Sequence, residues 1–163
     1  QGHEVGGGDA RTTVGALAHV EEAVEFDDGR WALVARGITR IRVLRWLDDD
    51  PYPIAEVEEW PDGPAFELDL DRCIEIERLR ADTARMAESL GYRAVQTSFD
   101  PTLSPVDQSL RLCATSPLGE ADRFDLLCAP DPGSRLELLE RRLLDQQVVL
   151  GSELAMGHEP RDW

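Results

Sequence analysis

Trp60-Pro61-Asp62-Gly63-Pro64 is the point at which the chain changes its hydrophobic period. Two prolines and a glycine within one short stretch suit neither a continuing strand nor a helix interior. Before it, apolar residues come in short runs rich in β-branched and aromatic side chains. After it, they recur at alternating steps of three and four. The switch predicts an α+β protein: a small antiparallel β-barrel or half-barrel lobe over 1–60, a Pro/Gly hinge over 61–66, an α-helical bundle lobe over 67–156 and a loose tail over 157–163.

Upstream of the switch, about four strands are expected, near Val14–Val20, Arg30–Arg36, Thr39–Leu47 and Tyr52–Glu59. Asp27-Asp28-Gly29 supplies a tight turn between Phe26 and Trp31, and Asp48-Asp49-Asp50-Pro51 supplies the next connection. Alternation is imperfect: Val14, Ala16, Ala18 and Val20 share a face, while Ile41 and Val43 oppose Arg40 and Arg42. Small, strongly curved sheets read this way, and closure removes unpaired edges. Gly15, inside a strand, marks a bulge or the close approach of another backbone.

Downstream, Ile76, Leu79, Thr83, Met86 and Leu90 define a helix over Leu70–Leu90, with Gly91 as its left-handed cap. Ser104-Pro105 and Asp131-Pro132 each place a capping side chain before a proline at the first helical position, announcing two more helices. A short helix near Glu120–Cys128 lies between them. In the last helix Leu136, Leu139, Leu143 and Leu150 form the buried stripe, with Leu144, Val148 and Val149 beside it.

All 17 basic residues are arginine. Without lysine there is no P-loop lysine, Schiff-base lysine, kinase strand lysine or Ser-Lys dyad. A formal charge of −16 repels phosphate backbones and anionic lipid head groups, so neither nucleic acid nor a membrane surface is an expected partner. Cys73, Cys113 and Cys128 are far apart and each sits in an apolar helical pattern, which fits neither a disulfide framework nor a zinc site. A reducing cytoplasm is the expected location.

The acids Asp48, Asp49 and Asp50 read as a solvated turn, because consecutive side chains diverge and no glycine-punctuated calcium loop surrounds them. His3, His19 and His158 are scattered, without a helical pair or a nucleophile, so His19 reads as a packing residue. Gly6-Gly7-Gly8 follows no strand and opens no helix, and reads as a flexible loop. The expected catalytic, cofactor and metal inventory is empty. Trp31, Trp46, Trp60 and Tyr52 cluster in the β lobe near Arg40 and Arg42. Core filling is the default reading of such aromatics; the alternative is a surface that grips apolar segments of another chain.

The strings Val14-Gly15-Ala16-Leu17-Ala18-His19-Val20, Asp28-Gly29-Arg30 and Gly37-Ile38-Thr39-Arg40-Ile41-Arg42-Val43 resemble the Lon protease N-terminal substrate-binding domain family. So do Pro51-Tyr52-Pro53-Ile54-Ala55-Glu56-Val57-Glu58, Phe124-Asp125-Leu126-Leu127 through Asp131-Pro132, and Arg135-Leu136-Glu137-Leu138-Leu139. The resemblance spans Val5 to Leu150 and implies a PUA-like β lobe followed by helices. By the same resemblance, a proline-rich strand and a short helix normally precede the point where this chain starts, so the chain is expected to be either a fragment or a member without those strands; the nucleotide-binding and proteolytic domains are expected to be absent, which implies a bacterial, stand-alone, non-catalytic member. Its expected partners are unfolded or exposed polypeptide segments, held on Trp31, Arg40, Arg42, Trp46, Tyr52 and Trp60. The alternative is a structural or regulatory subunit that pairs through its β-lobe edge with a fixed partner or with itself as a homodimer. Carboxylate-only catalysis on a small molecule is the remaining enzymatic reading.

Overall fold

The computed structural model describes residues 11–62, 69–95, 100 and 102–157. The strands are β1 (Val14–Glu25), β2 (Trp31–Trp46) and β3 (Ala55–Glu59); the helices are α1 (Leu70–Ser89), α2 (Pro105–Ala114), α3 (Glu120–Leu127) and α4 (Pro132–Ala155). Contacts divide the chain into two units between Pro61 and Asp62.

The first unit is an open antiparallel sheet in the order β1-β2-β3. Among the described residues β1 and β3 do not meet, so the sheet has the half-barrel form rather than the closed one. Among the described residues it contains three strands where four were expected. The expected break near Gly37 is a bulge: Gly37 pairs with Ala18 and Thr39 with Leu17, leaving Ile38 as one extra residue. A single inserted residue kinks a strand without ending it, so β2 runs through.

Gly15 is covered by Ile41, yet a Cβ there would lie 3.5 Å from Ile41 Cγ1, an ordinary contact. The bulges of the β1–β2 pairing fall elsewhere, at Ile38 and at Glu21. The β1–β2 turn closes with the Phe26 N–H on Arg30 O at 2.8 Å and the Gly29 N–H on Phe26 O at 2.9 Å. Gly29 takes φ +81° there, a region that side-chain-bearing residues avoid.

The helices follow their sequence signals closely. Ser104 Oγ accepts from Asp107 N at 3.1 Å, and Asp131 Oδ1 accepts from Ser134 N at 2.9 Å, each opening its helix before a proline. At the end of α1, Gly91 N donates to Glu88 O and Tyr92 N to Ala87 O, with Gly91 at φ +87°. That double closure is the Schellman pattern. The core of this unit joins Cys73 and Ile76 of α1, Leu112 and Cys113 of α2, Leu126 of α3 and Leu136, Leu139 and Leu143 of α4.

Two departures from the periodic reading stand out in this unit. The buried face of α1 runs through Cys73, Ile76, Arg80, Thr83, Ala84 and Ala87, displaced from the expected stripe. Arg80 is buried because Glu77 takes its Nε and Nη2 at 2.7 and 2.8 Å while the Val95 and Thr115 carbonyls accept from Nη1. On α4, Leu144, Val148 and Val149 are exposed rather than packed beside the stripe.

Candidate functional site

The sheet's register sorts the candidate residues by face, since directly paired residues point the same way and neighbours alternate. Arg42 pairs with Glu58 and Arg45 with Glu56, placing both on one face; the bulge at Leu44 restores the alternation. Val43 with Val57, and Trp46 with Ala55, occupy the other. The charged face is laced by Arg45 Nη2 on Glu56 Oε1 at 2.6 Å and by the longer Arg42–Glu58 pair at 3.6 Å.

Trp60 joins this face at the end of the lobe. Its N–H donates to Arg40 O at 2.8 Å, and the guanidinium carbons of Arg40 and Arg42 each lie 4.4 Å from its ring centroid. Both cations therefore engage one indole, an arrangement favoured by the ring's quadrupole. Arg40 is the sole buried residue of the three strands.

The remaining candidates lie elsewhere. Trp46 is held by Arg11, 4.9 Å from its centroid, and by its own indole N–H on Thr12 O at 3.3 Å. Arg11 in turn pairs with Asp49 at 2.5 Å, within the exposed acidic turn. Tyr52 projects from the β2–β3 connection, 66% exposed. Trp31 opens β2 next to the hairpin turn, nine residues from Arg40, or about 30 Å along an extended strand. The structure thus groups Arg40, Arg42 and Trp60, sets Trp46 on the opposite face, and leaves Trp31 and Tyr52 apart.

A broader feature escaped residue-by-residue reading. Because β3 pairs only with Ile41–Trp46, residues 18–25 and 31–38 form a two-stranded arm. Val20, Val24, Phe26, Trp31, Leu33, Val34 and Ile38 are all exposed on it, Leu33 at 60%. Among the described residues, the 31–38 edge of β2 away from β1 carries no strand. The available signal was the broken alternation itself: Trp31, Leu33 and Ala35 fall on one face and Ala32 and Val34 on the other, so both faces are apolar. His19, expected to pack, stands exposed on this arm opposite Arg36.

His3, His158, Gly6-Gly7-Gly8 and most of the expected hinge and tail lie outside the described residues. Among the described residues no group of three or more His, Cys, Asp or Glu is placed to hold a metal ion. No described helix is long and apolar enough to cross a membrane. In the helical unit, burial pushes the Cys113 thiol from 9.0 up to about 12, against a smaller opposing effect of Arg135, and burial also raises Cys73. Hydrogen bonds from the Ser134 backbone and hydroxyl lower Asp131, and those from Thr102 lower Asp100. These shifts belong to core packing, to the cap of α4 and to the local Asp100–Thr102 turn.

An antiparallel half-barrel sheet followed in the chain by a helical unit, with four helices among the described residues, defines the class: an α+β domain whose distinctive chemistry lies in exposed apolar and arginine–aromatic surface. The chain belongs to the ATP-dependent protease La (LON) substrate-binding domain family, whose model matches residues 3–145. It is similar to Lon protease 2 of Herpetosiphon aurantiacus, 26% identical over 147 residues, covering 86% of this chain and 16% of that protein. The chain therefore spans about one-sixth of this curated relative. Among solved structures it is similar to the Lon N-terminal domain protein from Xanthomonas campestris, at 28% identity and TM-score 0.52, covering 78% of this chain and 66% of that one. The N-terminal domain of a Mycobacterium avium complex Lon protease shares the fold at 19% identity and TM-score 0.59, covering 85% and 73%.

Proposed function

We propose that this chain is a non-catalytic polypeptide-binding domain that receives unfolded or exposed segments on its sheet. The exposed two-stranded arm carries this reading. A hairpin alone is marginally stable in water, and a contiguous apolar surface of this kind is characteristic of interaction sites. The 31–38 edge, which carries no strand among the described residues, offers main-chain donors and acceptors to an extended segment, and its apolar side chains add affinity without strict sequence selection. Family membership supports the same reading. Trp31 belongs to the arm; Arg42 and Trp60, with Arg40 buried beside them, continue one face of the sheet, while Trp46 lies on the other face and Tyr52 on the β2–β3 connection. No cofactor, nucleic acid or membrane enters it, and cysteines that form no disulfide among the described residues suit a cytoplasmic setting.

Fluorescence anisotropy of a dye-labelled casein tests the proposal. Replacing Trp31 and Leu33 together by serine weakens binding at least tenfold, whereas Glu137→Ala on α4 leaves it unchanged; equal affinity of the Trp31/Leu33 variant and the parent sinks the arm as the site. The same free edge also supports pairing with a fixed partner or a second copy. Light scattering separates the readings: a dimer that persists on dilution and dissociates when Trp31 and Leu33 are changed favours self-pairing.

A further inference from the structure

The helical unit contains a cavity of about 370 Å³ bounded by Leu110, Cys113 and Ala114 of α2, Arg123, Leu126 and Leu127 of α3, and Arg135 of α4. Its size falls in the range of small-ligand sites, and it has room for about a dozen waters at ~30 Å³ each. The walls are overwhelmingly apolar, so water there has few partners and an apolar occupant displaces it favourably.

Two polar features interrupt those walls. Arg135 is fully buried, with Nη2 on Asp62 and Nη1 on Ser109 at 2.7 Å each, and its Nε–H has no acceptor among the described residues. Arg123 is exposed at the rim. Its guanidinium donates to Ser116 O at 3.2 Å and makes no ion pair with a described carboxylate. The neighbouring acids Asp122 and Asp125 are taken by Arg142, at 3.2 and 2.8 Å, and Glu120, three residues away, does not pair with it. An uncompensated cation at the mouth of an apolar cavity complements a molecule with an apolar body and one anionic end.

We propose that this cavity binds a small apolar monocarboxylate, its carboxylate on Arg123 and its apolar body against Leu110, Cys113, Leu126 and Leu127. Arg135, neutralised by Asp62, contributes a spare N–H donor from the wall rather than a second charge. The shared chemistry has two sources: the C-terminal apolar residue of a polypeptide, or a medium-chain fatty acid. Its lining residues all belong to the helical unit, and the inference does not rest on the arm's role.

Nitrogen–proton correlation spectra of the whole chain, titrated with N-acetyl-leucine, N-acetyl-leucinamide and octanoate, test it. At least one carboxylate perturbs the amides of Leu110, Cys113, Leu126 and Leu127 and binds at least tenfold more tightly than the amide. Preference for N-acetyl-leucine identifies a peptide terminus, and preference for octanoate identifies a fatty acid. Arg123→Gln removes the preference, and Ala114→Phe, which fills the cavity, abolishes binding while the spectrum stays dispersed. Equal binding of acid and amide, an undiminished preference in Arg123→Gln, or full binding by Ala114→Phe overturns the proposal. Casein anisotropy on the same samples is unaffected by the Arg123 and Ala114 changes, so loss of this site and loss of the sheet surface are read independently.

Discussion

Arg135 shows how much a single buried charge can organise. Its guanidinium spans Ser109 and Asp62 with no solvent exposure, and Asp62 is almost as buried. Burying ions is costly, and such a pair persists only where close, well-aligned contacts such as those of Nη1 and Nη2 offset the lost hydration. Arg135→Met strips Asp62 of its guanidinium and is expected to cost about 3–5 kcal/mol, read from urea denaturation. Cys113 gives a second residue-scale expectation, in pH. Its folded value lies well above 9.0, so the unfolded chain loses its proton first. Stability is therefore full well below pH 9 and declines as pH rises towards 12, by about 1 kcal/mol at pH 10 from this residue. Cys113→Ala should flatten that decline relative to the parent protein, after allowance for the smaller cost of its own cavity at neutral pH.

At the scale of elements, the helices were legible and the strands only partly so. Helix ends carry local chemistry: Ser104 and Asp131 cap before prolines, and Gly91 accepts the left-handed turn that closes α1. Each signal is complete within a few residues, so no tertiary information is needed to read it. Asp131→Ala removes the acceptor for the Ser134 N–H and is expected to destabilise α4 by about 1 kcal/mol. Because those hydrogen bonds lower its pKa, the stabilisation is present above the ordinary carboxylate value and is lost as pH falls through the folded value. Thermal unfolding at pH 7 and pH 2.5 should show a clear difference between the parent and Asp131→Ala at the first and a smaller one at the second. In the sheet, Gly37-Ile38 read as a break between strands and is a bulge. A bulge and a turn draw on the same residues, and only the partner strand distinguishes them.

The molecule as a whole is governed by its charge and by the contrast between its units. If the proposed polypeptide-binding role holds, a charge of −16 steers cationic segments to the domain in preference to acidic ones. An unfolded basic polypeptide is expected to bind at least tenfold more tightly than an unfolded acidic one of similar hydropathy at 20 mM salt, and the ratio should approach one at 500 mM, where the Debye length is only about 4 Å. A ratio independent of salt would remove electrostatics from client choice. The helical unit holds the apolar core, while the strands bury no apolar side chain among the described residues. That contrast could not be read from composition, because the strands are as apolar as many that lie inside a barrel.

The sequence alone determined the α+β order, the switch near Pro61, the helix caps, the stripe Leu136–Leu139–Leu143–Leu150 and the family resemblance, since each rests on contacts within one element or on local strings. Only the tertiary structure decided that Trp31 and Tyr52 stand in solvent, that Trp60 lies against Arg40 and Arg42, and that Arg80 and Arg135 are inside. Burial depends on what covers a face, and a charge goes inside only when distant acceptors such as Asp62 and the Thr115 carbonyl come to meet it.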